Sequence, residues 1–258
     1  MIRSSNPTLS PDVFQRSRDG LATETMTVSG TVNKCFVLLL IVLATATWSW
    51  QETLKVFLAQ SAEGAVSGAG GFPILVLGGA IAGVILALVT VFFKKLSPYT
   101  SPAYAVAEGL LLGGLSAVME QRYPGIVFQA VLGTFGTFFF MLFLYRSNYV
   151  RATDGFKRGM AAALGGVFFV YLITMILGFF GKHIPYIHES GPIGIGFSVV
   201  VVGIAAFSLI LDFDQIESGE RVRAPKFMEW YGAFALLVTM VWLYLEMLRL
   251  LAKIRDRR

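Results

Sequence analysis

The chain has 258 residues, of which 55% are hydrophobic and only 14% charged. A soluble globular chain is about 45–50% apolar and about a quarter charged, so the composition points to an all-α polytopic membrane protein and leaves no room for a soluble catalytic module. The formal net charge of +5 comes from lysines and arginines in predicted loops and tails, which suits anionic lipid headgroups and not nucleic acid.

Residues 1–31 carry Pro7, Pro11, several serines and threonines and mixed charge, and read as a polar amino-terminal tail with residues 32–258 forming the membrane domain. Seven apolar segments follow, at about 32–50, 73–93, 102–120, 124–145, 158–181, 193–212 and 227–251. Each approaches the ~20 residues needed to cross ~30 Å of hydrocarbon. The run Cys35–Leu43 followed by Ala44-Thr45-Ala46 imitates a signal peptide, but the polar stretch before it and the apolar continuation through Trp48 and Trp50 favour a first span. Cys35 is the only cysteine, so no internal disulfide forms.

The boundaries have local causes. Phe72-Pro73 opens the second segment after a Gly/Ser/Ala-rich linker. Ser101-Pro102 reads as an N-cap followed by proline at the first helical position, where no amide donor is needed. Tyr123-Pro124 makes a tight turn, Gly191-Pro192 starts the sixth segment and Pro225 the seventh. Gly79 with Gly83, and Gly109 with Gly113, are spaced for close helix contact.

Thirteen of the 21 lysines and arginines fall on the side of the amino terminus and eight on the other, five of those eight at the carboxyl-terminal end. The loops therefore place the amino terminus in the cytoplasm. The basic carboxyl terminus then conflicts with an odd number of spans, and seven full crossings are favoured over a re-entrant last segment.

The stretch Ser208-Leu209-Ile210-Leu211-Asp212-Phe213-Asp214-Gln215-Ile216 draws attention because an apolar segment ends in two carboxylates. A charge within a span costs ~2.5–3.5 kcal/mol at the helix centre and needs a reason. Asp212 and Asp214 are ~200° apart around a helix, so one faces the bundle and the other a loop or a basic partner such as Arg221 or Arg223. Glu108 lies six residues past Pro102, ~9 Å into the third segment, and Glu229 opens the seventh, where it also complements the helix dipole. Glu108, Asp212, Asp214 and Glu229 thus occupy the cytoplasmic half. Glu217 and Glu220 read as loop charges, and Glu246 as a local partner of Arg249. His183 and His188 lack a zinc-binding context, and no segment carries a central lysine, a facing aspartate pair for proteolysis or a serine–histidine pair. An enzyme is not expected, nor a cofactor.

At Leu211-Asp212-Phe213-Asp214-Gln215-Ile216 the chain resembles the Bax inhibitor-1 family (transmembrane Bax inhibitor motif proteins), particularly its bacterial branch. The resemblance extends over Met26–Lys34, Thr100–Gly109 and Glu229-Trp230-Tyr231-Gly232. It implies seven transmembrane helices, six surrounding the carboxyl-terminal one, and a pH-sensitive calcium leak. It also implies a proton-sharing aspartate pair, one late in the sixth helix and one within the seventh. Asp212 matches the first; the second falls near Thr239, and the predicted segment 227–251 holds no aspartate.

The expected function is a cation leak channel for calcium, with Asp212 and Asp214 as proton sensor and gate. Glu108, Glu229 and Thr239 are pore or ion-binding candidates, and Asp212 and Glu108 are calcium ligands, because oxygen-only acids suit a hard cation. The expected partners are the lipid bilayer, calcium, protons and other membrane proteins, and the expected location is the bacterial plasma (inner) membrane. A proton-coupled transporter, or a non-transporting regulator of membrane partners, are the competing readings.

Overall fold

A computed structural model describes residues 24–62, 74–181 and 191–257. Seven long helices account for most of them: α1 Val28–Ala62, α2 Ile74–Phe92, α3 Ser97–Arg122, α4 Ile126–Arg146, α5 Asp154–Phe179, α6 Pro192–Arg221 and α7 Met228–Asp256. All seven are long and apolar enough to cross a membrane. A one-turn 3-10 helix, Lys94–Leu96, joins α2 to α3.

The principal neighbours of α7 are α1, α3, α4 and α6; α2 packs mainly on α3, and α5 on α6. Four helices thus flank the last one closely, and α2 and α5 sit outside this group. Their outer faces match that position: Leu77, Ile81, Val84, Ile85 and Leu88 on α2 are each more than half exposed, as are Phe168 and Phe169 on α5. Apolar surface of this extent has bilayer hydrocarbon as its natural solvent.

The spaced glycines explain why α3 binds two helices at once. A Cβ on Gly113 would lie 2.1 Å from the Ala46 carbonyl oxygen of α1, and one on Gly109 would lie 2.7 Å from that of Val42. On α2, a Cβ on Gly79 would come within 2.7 Å of the Ala107 carbonyl oxygen of α3. The backbones therefore approach to a distance that only small residues permit.

Several predicted boundaries move; the first helix runs from Val28 to Ala62, twelve residues past its expected end at residue 50, and three further shifts have identifiable causes. The third helix opens at Ser97, with Pro98 in its first turn and Pro102 inside it, so Ser101 is not an N-cap. Pro102 removes one backbone bond, but Ser101 is fully buried with its hydroxyl close to the Trp230 carbonyl at 3.3 Å, and Ser97 donates to that of Phe227 at 2.9 Å. Tertiary anchoring holds the extra turn. The sixth helix continues nine residues past Asp212 because Phe213 and Ile216 form a buried stripe there. The seventh opens at Met228, not at Pro225, which instead pairs with Thr25. Gly191 does cap α6, and Gly125, in a left-handed conformation at φ 80°, makes the turn into α4.

The basic carboxyl-terminal end is integrated in α7. Lys253 is buried and donates to the Gly194 carbonyl oxygen at 3.0 Å and to Ser198 Oγ at 2.9 Å. Arg255 donates to the Pro124 carbonyl oxygen at 2.6 Å and to Gln129 Oε1 at 3.1 Å. These residues mark the bundle face opposite to the one where Thr27 meets the start of α7, so α7 crosses the bundle once. His183 and His188 lie outside the described residues.

Candidate functional site

Asp212 is the deepest acid of α6. At 1.5 Å per residue it sits ~14 Å inside the helix end, not at it. The expectation that Asp212 and Asp214 close the helix is therefore corrected. Thr239, eleven residues past Met228 in α7, is the polar neighbour of the Asp212 carboxyl on the facing helix. Thr239 Oγ1 donates to the Ala235 carbonyl oxygen at 3.3 Å. Asp212 Oδ2 is inaccessible to solvent and has no hydrogen-bond partner among the described residues. Beside it is a cavity of about 60 Å³, lined by Met26, Gln215, Gly219, Tyr231 and Ala235 among others.

Asp214, two residues on, points elsewhere. It forms an ion pair with Lys157 of α5 at 2.6 Å. The basic partner is thus neither Arg221, which pairs with Glu217 at 3.3 Å, nor Arg223. One acid facing the bundle and its neighbour a base is the division that the ~200° separation requires, with the base supplied by another helix.

Glu108 is 9% exposed and faces α2. Because α3 begins at Ser97, Glu108 is the twelfth of its 26 residues, ~16 Å from the start and near the midpoint of the helix. Gly83 of α2 makes the space: a Cβ there would stand 3.1 Å from Glu108 Oε1. Tyr104, one turn earlier, is the polar neighbour of the carboxyl on the same helix and packs its ring edge-on against Phe234 of α7, at 4.9 Å between centroids. Glu108 Oε2 is buried and without a partner among the described residues. Glu108 therefore sits at the α2–α3 interface and Asp212 at the α6–α7 interface. Among the described residues no three His, Cys, Asp or Glu side chains group as a metal site.

Glu229 is fully buried and fully engaged. Its Oε1 accepts from the Thr27 amide and hydroxyl, each at 2.9 Å, and stands 3.4 Å from Lys226 Nζ. Its Oε2 forms an ion pair with Lys34. Thr27 in turn caps α1, its Oγ1 accepting from the Gly30 amide at 2.9 Å. A Cβ on Gly30 would overlap the Glu229 carboxylate, at 2.1 Å from Oε1. The pore candidate Glu229 is thus the anchor that ties the start of α1 to the start of α7.

Two buried charges have long-range partners that the local sequence does not signal. Glu246 pairs with Arg249 at 2.6 Å as its spacing suggests, but it is also 2% exposed and accepts from Tyr171 of α5 at 2.8 Å. Lys253 is the other. Both depend on helices that are distant along the chain.

The sequence model of one protein family, described as Bax inhibitor 1 like, matches residues 6–256. No curated protein and no solved structure matches the chain.

Proposed function

Because the chain belongs to the Bax inhibitor 1 like family, we propose that it is a pH-sensitive cation leak channel of the membrane, with calcium as the permeant ion and Asp212 as the proton-operated gate. The observation that carries this reading is that Glu108 Oε2 and Asp212 Oδ2, which unlike the similarly unpartnered Glu246 Oε2 belong to acids with no ion pair, are buried in a membrane bundle without hydrogen-bond partners among the described residues. Buried polar atoms are normally satisfied, and acids within spans mark proton or ion pathways.

The chemistry of the gate follows from donor counting. An ionised Asp212 is an acceptor only, so it draws the single Thr239 hydroxyl proton away from the Ala235 carbonyl. A protonated Asp212 is itself a donor and leaves the Thr239 hydroxyl to Ala235. Each protonation state thus favours a different α6–α7 hydrogen-bond arrangement, and pH shifts the balance between two packings. Glu108, midway along α3, supplies the negative charge that favours a cation over an anion, and oxygen donors suit calcium.

The 60 Å³ cavity beside Asp212 has room for a few waters or a partly hydrated ion, which supports a leak over a carrier of organic substrates. The proposed setting is a bacterial inner membrane with the amino terminus in the cytoplasm, from the loop charges.

Proteoliposomes containing only this chain test the reading. Calcium entry that follows its own gradient and changes with pH is expected. Entry that requires an opposing proton gradient points instead to a transporter, and no flux at any pH to a regulator of membrane partners.

A further inference from the structure

The segment Glu24–Thr27, which precedes α1, lies along the α6–α7 connection. The Met26 amide donates to the Ala224 carbonyl oxygen at 2.7 Å, and the Lys226 amide to that of Glu24 at 3.0 Å. Thr25 and Pro225 form an antiparallel bridge between these bonds. Thr27 is held by Glu229, and the Val28 amide donates to Glu220 Oε1 at 3.0 Å.

This strap directs one side chain into the bundle. Met26 is 3% exposed and lines the same cavity as Asp212. Two glycines on facing helices clear its slot: a Cβ on Gly219 of α6 would stand 2.6 Å from Met26 Sδ, and one on Gly232 of α7 would stand 3.5 Å from Met26 Cε. The cavity runs from Asp212 and Ala235 to Gly219 and Met228, toward the aqueous face where α6 ends and α7 begins. We propose that Glu24–Met26, hinged at the Thr27–Glu229 anchor, is a removable strap whose Met26 side chain plugs the Asp212 cavity at this face.

The construction suits a plug. Methionine is unbranched and fills an irregular slot without locking it. Between Glu24–Met26 and the connection there are two backbone hydrogen bonds and one exposed Glu24–Lys226 ion pair at 3.8 Å, while Thr27 stays held by Glu229. Such short surface segments open locally far more readily than the helices beneath them. Opening would give water, protons or cations access to Asp212 while α6 and α7 stay packed. The regulatory role rests on the proposal that Asp212 gates a cation path; the plug itself does not.

The test reads access separately from flux. In a Cys35→Ser background, Ala235→Cys reports on the cavity through its rate of reaction with a small charged methanethiosulfonate in the purified chain. Met26→Ala should speed that reaction by about tenfold, the scale expected for removing a local barrier to opening, whereas Met26→Leu should leave it slow. Val201→Cys, fully buried elsewhere, must stay unreactive in both, which separates unplugging from unfolding. An Ala235→Cys rate that is the same with and without Met26→Ala overturns the plug, as does a rise that Met26→Leu reproduces. Accelerated labelling with unchanged calcium flux upholds the plug and removes the leak channel instead.

Discussion

The Thr239 side chain of α7 stands against the Asp212 carboxyl of α6, with one carboxyl oxygen of Asp212 buried and unpartnered among the described residues. Asp212→Asn keeps the shape and removes the titration, so the proposed leak should lose most of its pH dependence. Thr239→Asp adds a second titrating group at the same contact and should steepen it. Calcium flux into proteoliposomes across a pH series measures both. A steep response that survives Asp212→Asn would move the sensor to another acid.

Glu108 fills the space left by Gly83 with a charge at mid-helix depth. Glu108→Gln preserves volume and the contact with Tyr104 while removing the charge. Cation flux should fall with the melting temperature unchanged, because no ion pair is broken. Equal flux in Glu108→Gln and the parent would make Glu108 a packing residue.

Lys34 and Glu229 are the opposite case, a charge pair that binds the first turns of α1 to the start of α7. Breaking a buried pair costs about 3–5 kcal/mol because a charge is left behind. Lys34→Met leaves Glu229 with Thr27 and the half-exposed Lys226, so a loss of about 3 kcal/mol is expected, at the lower end of that range. Denaturation measured in detergent checks it, and a loss below about 1 kcal/mol would put the pair among weak surface bridges.

Gly113 and Gly136 differ in one respect that a substitution can read. A Cβ on Gly113 meets the α1 backbone at 2.1 Å, whereas one on Gly136 meets nothing within 4 Å. Gly136→Ala should stabilise slightly, by up to about 1 kcal/mol, from helix propensity. Gly113→Ala should destabilise by about 1–3 kcal/mol, because the contact is with backbone and cannot rotate away. Thermal denaturation of the two variants should therefore shift in opposite directions.

Much of the fold was legible in the residues because its causes are local. Crossing hydrocarbon demands about 20 apolar residues in succession, and that demand alone marks seven segments between residues 32 and 251. The four spaced glycines were equally visible, since close approach of helices excludes side chains wherever the partner comes from. The prolines were less reliable guides. Pro102 reads locally as a helix start, but Ser97 and Ser101 reach carbonyls of residues 227 and 230, and those contacts hold a turn that proline disfavours.

The chain by itself determined the membrane class, the number of crossings and the acids worth asking about. Only the tertiary structure decided what each acid does. Asp212, Asp214, Glu108 and Glu229 carry the same chemistry in sequence, but they meet Thr239, Lys157, Gly83 with Tyr104, and Lys34 with Thr27 respectively. Glu229 and Lys34 are 195 residues apart, and Lys253 finds its carbonyl 59 residues away on α6. No local pattern encodes such partners. A buried charge is defined by what the folded chain brings to it, because in a medium that cannot solvate it the partner sets both its cost and its use.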